Sequence, residues 1–280
     1  MDRYAVAGNP VEHSRSPFIH ARFAEQTRQR MEYTRLLCPL DGFEAAVRRF
    51  AAEGGRGCNV TIPFKFAAAA LAAHRSARAE LAQAVNTLRF DADGWYGDNT
   101  DGVGLVRDIE DNAGTALSGC RLLLVGAGGA AAGVLGPIVE SRPAEVVVVN
   151  RSHDKAQALV RRHADLAARC GVVLRSSAIA RPGAAFDVVV NASASSVQGA
   201  GSPVPADVLK AGSLAIDLMY GPSARPFLDW ARAHGARARD GLGMLVEQAA
   251  ESFALWRGVR PDPGRVLQAL RAEVDAAAPA

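Results

Sequence analysis

One stretch limits the fold more than any other. Residues 122–125 form an uninterrupted apolar run that passes straight into Gly126-Ala127-Gly128-Gly129-Ala130-Ala131 and then into a helical pattern. A strand with no polar alternation is buried on both faces, and such strands belong to parallel sheets covered by helices on either side. The same alternation continues. Strand-like runs at 146–149, 186–190, 214–218 and 236–239 are separated by polar and helical segments, the clearest being a helix over about 153–169. This pattern predicts a doubly wound, Rossmann-like sheet. Two further helices, over 242–256 and after Asp262-Pro263, precede a frayed alanine-rich tail.

The first third alternates too, with shorter pieces. Residues 4–8, 33–37 and 58–62 read as strands, and 41–53 as a one-sided helix carrying Phe43, Val47 and Phe50 and stopped by Gly54-Gly55. Ser16-Pro17 supplies an N-cap and a first-turn proline for a helix reaching about Arg30. Helices through Leu71 and near Leu81 lead to a strand over 86–90, which Asp91-Ala92-Asp93-Gly94 turns into Trp95-Tyr96. An α/β architecture with two sheets follows, with a boundary near 102–108.

The glycine run also points to a ligand. Gly126, Gly128 and Ala131 stand between an apolar strand and a helix, the setting in which Gly126 permits a tight turn and Gly128 lets the backbone approach a pyrophosphate. Pro137, inside the same helix, is expected to kink or shorten it. After the next strand come Asn150-Arg151-Ser152 and, a turn later, Lys155. A guanidinium, a hydroxyl and an ammonium suit a ribose 2′-phosphate, whereas an NAD site would place a carboxylate there. NADP is the cofactor so predicted.

Net charge is +3, from 32 basic and 29 acidic residues, too even for a nucleic-acid or anionic-membrane binder. The longest apolar candidate, 66–73, is far too short to span a bilayer. Cys38, Cys58, Cys120 and Cys170 are widely spaced, so neither a disulfide framework nor a metal site is expected. The opening residues carry no secretory pattern, and a cytoplasmic protein is expected. Only Lys65, Lys155 and Lys210 among the basic residues are lysine. In so arginine-rich a chain, a lysine hints at a position that arginine would not serve.

Three polar clusters lie outside the scaffold: Ser14 and Ser16 in the loop after the first strand, Asn59-Val-Thr61-Ile-Pro-Phe-Lys65, and Asn86-Thr87 with Asp98-Asn-Thr-Asp101 around the hairpin. Hydroxyls, amides, one lysine and one aspartate suit a small polyhydroxylated acid. With Gly8-Asn-Pro-Val-Glu-His-Ser-Arg-Ser-Pro17, His20, Gly126 to Ala131, Asn150-Arg151, Asn191-Ala-Ser193, Asp217-Leu-Met-Tyr220 and Gly241-Leu-Gly-Met-Leu-Val-Glu-Gln248, in this order along the whole chain, the sequence resembles the shikimate dehydrogenase family. Ala21, Ser152, Ser193 and Arg225 depart from the family's commonest residues.

The resemblance implies an N-terminal substrate domain (1–104), an NADP-binding domain (105–237) and C-terminal helices (238–280) that pack back on the first domain. It implies NADPH-dependent reduction of 3-dehydroshikimate to shikimate, a step of aromatic amino-acid biosynthesis. Ser14 and Ser16 would hold the substrate carboxylate. Thr61, Asn86, Asp101 and Gln248 would bind hydroxyls, with Tyr220 lining the substrate side. Lys65 and Asp101 would form the catalytic pair. Asn150, Arg151, Ser152, Lys155, Ser193, Met219, Gly241 and Met244 would join residues 126–131 around the cofactor. Two rivals remain: a quinate/shikimate dehydrogenase using NAD, and a nucleotide-sensing relative with no reaction. An aminoshikimate-type relative also fits the same motifs.

Overall fold

Along the first strand, β1 (Asp2–Gly8), Tyr4 and Val6 alternate with Ala5 and Ala7, and all four are buried. A strand so covered needs a layer on each face. The computed structural model, which describes residues 1–193 and 202–276, supplies both layers and divides the chain into two units.

The first unit comprises Met1–Gly104 and Leu245–Leu270. Its sheet runs β2 (Met31–Leu37), β1, β3 (Gly55–Val60), β5 (Thr87–Arg89), β6 (Tyr96–Asp98), β4 (His74–Arg75). β1 pairs in parallel with β2 and β3, as β4 does with β6; only the two pairings of β5 are antiparallel. One face packs on α2 (Phe43–Ala52) and α3 (Lys65–Leu71). There Phe43, Val47, Phe50, Phe64 and Ala68 meet Ala5, Ala7 and Cys58. On the other face lie α1 (Ser16–Thr27) and the later part of α9 (Leu242–Arg257). Trp256 stacks on Tyr4 at 4.7 Å, Phe253 meets Phe23 edge-on at 5.8 Å, and His20 stacks on Tyr33 at 4.1 Å.

Local details differ from the sequence reading. Arg15, not Ser16, is the N-cap of α1, and the Ser16 N–H is bonded instead by the Ser14 hydroxyl at 3.3 Å. The helix stops at Thr27 because Arg28 turns left-handed and returns its N–H toward the carbonyls of Ala24 and Glu25. β3 ends at Val60, short of the expected Ile62. The two-residue β4 has too few residues to show a period.

The second unit comprises Leu105–Met244 and Arg271–Ala280. Its sheet runs β12 (Arg237–Arg239), β11 (Leu209–Asp217), β10 (Phe186–Asn191), β7 (Arg121–Val125), β8 (Glu145–Val149), β9 (Val173–Ser177), with every pairing parallel. Numbered within the unit, this is the doubly wound order 3-2-1-4-5-6. Leu123, Val125, Val147 and Val149 pack with Phe227 and Leu228 of α8 (Arg225–Ala233), while the intervening Leu122, Leu124, Val146 and Val148 are equally buried. The helices that follow β7 and β8 are α6 (Gly129–Glu140) and α7 (His153–Cys170). Pro137 does not shorten α6, which runs on to Glu140. Residues 131–139 of that helix are all buried, so packing outweighs the one bond that proline removes, and the facing residue Gly133 has no side chain. Edge strand β9 was invisible to the apolar pattern: Val173 is exposed and the rest only half-buried.

All four cysteines are free. Among the described residues no group of side chains could hold a metal ion, and no helix is long and apolar enough to cross a membrane.

Candidate active site

In the first unit, the polar candidates collect at the ends of β1 and β3 and around the hairpin. Lys65 opens α3, and its ammonium donates to Asp101 Oδ2 at 2.5 Å. The pair is largely buried, the two side chains being 13 % and 7 % exposed. An ammonium has three protons, and this one uses a single proton here, so others can reach a ligand.

Asp101 is held from the other side. Its Oδ1 accepts from Asn86 Nδ2 at 2.8 Å, and its own N–H donates to Asn99 Oδ1 at 3.2 Å. The Asn86 amide has one possible orientation, since its Oδ1 takes the peptide N–H of Thr100 at 2.9 Å and must therefore turn Nδ2 toward Asp101. Gln248, on α9, brings Oε1 to 3.3 Å from both Asn86 Nδ2 and the Thr100 hydroxyl. Lys65, Asn86, Asp101 and Gln248 thus form one network.

Ser14 lies in the loop between β1 and α1 and Ser16 opens α1; Arg35 Nη2 donates to the carbonyl of Ser14 at 2.7 Å. Thr61 follows β3, donates its N–H to the Ala7 carbonyl, and packs its methyl where Gly8 has no side chain. Tyr33 donates to Asn59 Oδ1 at 2.7 Å; burial pushes its phenol well up, so it remains a donor. His20 is wholly buried, neither ring nitrogen has a hydrogen-bond partner, and burial lowers it to about 3.

The second unit places every cofactor candidate except Met244, which lies in the first turn of α9, at or just beyond the carboxyl edge of its parallel sheet, where ligands of such folds bind. Gly126 follows β7 at φ +119°, and a Cβ there would meet the Ala192 carbonyl oxygen at 2.8 Å, so only glycine makes this turn. Gly128 starts α6 with no side-chain cap, and a Cβ added there meets nothing within 4 Å. The first-turn N–H groups of residues 129–131 have no carbonyl of their own helix to bond, which suits a phosphate.

Beyond β8, Asn150 donates to the Ser152 carbonyl at 2.9 Å and shapes the turn that carries Arg151. Arg151 and Lys155 are exposed and have no ion-pair partner among the described residues, leaving two cations for a second phosphate. At the ends of β10 and β11, buried Asn191 donates to Asp217 Oδ2 at 3.0 Å. Asn191 Oδ1 accepts from Ser193, and Asp217 Oδ1 accepts from the Met219 N–H. Gly241 donates its N–H to the Met219 carbonyl, and a Cβ on it would lie 2.3 Å from the Leu218 carbonyl oxygen. Tyr220, expected on the substrate side, belongs to this unit beside Met219. The donor set fits a dinucleotide carrying an extra phosphate.

The sequence reading missed Ser252. Its hydroxyl is fully buried and contacts Asn59, Thr87 and Thr100. The available signal was Gln248 and Ser252 spaced one turn apart on an otherwise apolar helical stripe.

Three family models match successive parts of the chain. They describe the shikimate dehydrogenase substrate binding domain at 6–88, shikimate / quinate 5-dehydrogenase at 108–200, and the shikimate 5′-dehydrogenase C-terminal domain at 241–271. A protein of Methylibium petroleiphilum named shikimate dehydrogenase (NADP(+)) is 64 % identical across 99 % of this chain and 96 % of its own. One of the same name from Acidovorax ebreus is 61 % identical across 99 % and 98 %. Among solved structures, an Ael1 enzyme from Pseudomonas putida matches with a TM-score of 0.88 at 48 % identity, covering 96 % of this chain and 98 % of that one. A shikimate 5-dehydrogenase of Thermus thermophilus, in complex with NADP(H) and shikimate, matches with a TM-score of 0.83 at 34 % identity, over 97 % and 99 %.

Proposed function

The chain belongs to the shikimate dehydrogenase family, and from that premise we propose that Lys65 and Asp101 carry its reaction in the first unit while the second unit holds the cofactor. The activity is NADPH-dependent, reversible reduction of 3-dehydroshikimate to shikimate. The single observation behind the residue assignment is the buried Lys65–Asp101 contact, with Asp101 braced by Asn86.

NADPH supplies the hydride when bound. The chain's own residues manage the rest. As the ketone is reduced, negative charge grows on its oxygen, and a fixed ammonium stabilises it and can give up a proton. Arginine could stabilise that charge but, with a pKa above about 12, not protonate it. Asp101 orients the Lys65 ammonium and accepts a substrate hydroxyl. Ser14 and Ser16 are the residues assigned to the carboxylate, and Thr61, Asn86 and Gln248 to the remaining hydroxyls, with Tyr220 assigned to the substrate side of the cofactor. Residues 126–131 take the pyrophosphate, Arg151, Ser152 and Lys155 the 2′-phosphate with Asn150 shaping their turn, and Ser193, Met219, Gly241 and Met244 the nicotinamide half. We assign 1–104 and 245–270 to the substrate domain and 105–244 to the NADP domain, because the expected boundary at 237/238 falls inside β12 of the second sheet, and place the reaction in the cytoplasm.

The test is nicotinamide absorbance with shikimate or quinate and NADP or NAD, in all four pairings. Fast reduction is expected with shikimate and NADP alone; preference for NAD would overturn the role of Arg151 and Lys155. Lys65→Ala should lower kcat by at least about a hundredfold while leaving NADP affinity within about twofold. Near-normal turnover would remove Lys65 from the mechanism.

A further inference from the structure

Asn86 aims Asp101, but two threonine hydroxyls aim Asn86. Thr87 Oγ1 lies 2.9 Å from Asn86 Oδ1, and Thr100 Oγ1 lies 2.9 Å from Asn86 Nδ2. Both hydroxyls meet at Ser252 Oγ, at 2.8 and 3.2 Å. The same oxygen lies 3.0 Å from Asn59 Nδ2 and 3.0 Å from the Gln248 carbonyl. Ser252, Thr87 and Thr100 are all completely buried, so no water-facing alternative exists for them.

Counting protons fixes the direction of these bonds. Asn59 Nδ2 can only donate, so it takes one lone pair of Ser252; the Ser252 proton goes to Thr87 Oγ1, the nearer of its acceptors at 2.8 Å, the Gln248 carbonyl at 3.0 Å already taking the helix's own N–H. One lone pair remains on Ser252. Asn86 Nδ2 also only donates, so Thr100 accepts from it and must send its own proton elsewhere. Ser252 at 3.2 Å, with Gln248 Oε1 at 3.3 Å beside it, turns this proton away from Asn86. Thr87 is then free to donate to Asn86 Oδ1, beside the Thr100 peptide N–H. In this arrangement each hydroxyl and amide proton has its own acceptor, and Asn86 keeps Nδ2 on Asp101.

We infer that Ser252 is a positioning residue for the reaction: through Thr87 and Thr100 it sets the Asn86 amide, and so holds the Asp101 carboxylate in register with Lys65. It touches neither member of that pair. The inference rests on the Lys65–Asp101 assignment made above.

Ser252→Ala in the full chain is the test. Turnover is expected to fall about tenfold, because sub-ångström displacement of a reacting group is costly. KM for NADP should stay unchanged and KM for shikimate should move less than kcat. The solvent deuterium isotope effect on kcat should rise, because proton delivery becomes slower. A purely structural serine would lower the melting temperature without altering the isotope effect. Thr87→Val, which removes a hydroxyl at constant shape, should act in the same direction, and the double variant should cost little more than the worse single one. If Ser252→Ala fails to fold, Thr87→Val decides. Folded variants with normal kcat and isotope effect would overturn the inference. Lys65→Ala, assayed alongside, separates the two ideas: if it is inactive and Ser252→Ala is normal, only the role of Ser252 falls, whereas normal turnover in Lys65→Ala removes the premise.

Discussion

His20 shows how much a single residue can reveal about its surroundings. It lies between Tyr33, Phe23, Phe253 and Trp256, with no partner for either ring nitrogen. Burial holds it neutral down to about pH 3, whereas in the unfolded chain it takes up a proton near its ordinary value of about 6.5. Between those values the unfolded state binds the extra proton, so stability is full above pH 6.5 and falls as the pH drops, by about 1.4 kcal/mol per unit. His20→Phe keeps the stack on Tyr33 and removes the titration. Melting temperatures at pH 7 and pH 5 should therefore drop less in the variant, by the equivalent of about 2 kcal/mol. Equal drops in both proteins would show that His20 does not titrate across this range. The motif around His20 was recognisable, but its burial was not, because that depends on aromatic rings more than 200 positions away.

Among the elements, the β7–α6 turn carries the most function in the fewest residues. At Gly126 any side chain meets both an unfavourable φ and the backbone of the segment after β10. Gly126→Ala should cost about 1–3 kcal/mol of stability and weaken NADP binding at least tenfold, read by calorimetry of NADP titration and by thermal melting. Unchanged NADP affinity would mean that the pyrophosphate does not sit on this turn. The strand–glycine–helix order of this element is local, which is why it was legible. The true cap of α1 was not: a serine before proline suggests its own hydroxyl as cap, yet Arg15 is the N-cap and the Ser14 hydroxyl accepts the Ser16 N–H. Helix α6 likewise runs past Pro137 to Glu140, because burial on all sides is a property of neighbours that no local rule contains.

At the scale of the whole chain, the first sheet depends on a distant segment. Residues 1–104 supply the strands, but the face carrying Tyr4, His20 and Phe23 is closed by Phe253 and Trp256 of α9. A fragment of residues 1–104 should therefore lack a cooperative melt. Residues 105–244, which include all six strands of the second sheet, should fold alone and bind NADP. Near-UV circular dichroism and NADP titration of both fragments check this; a cooperative transition in the first would show that α9 is dispensable. The two-sheet α/β class, the parallel core of the second unit and the motif residues were all legible along the chain, because apolar periodicity and glycine chemistry act over a few neighbours. That Gln248 and Ser252 join Asn59, Asn86, Thr87 and Thr100 behind Asp101 emerges only on folding. Those contacts span more than 140 positions of the chain, and such pairings leave no local trace until the helix is folded back onto the sheet.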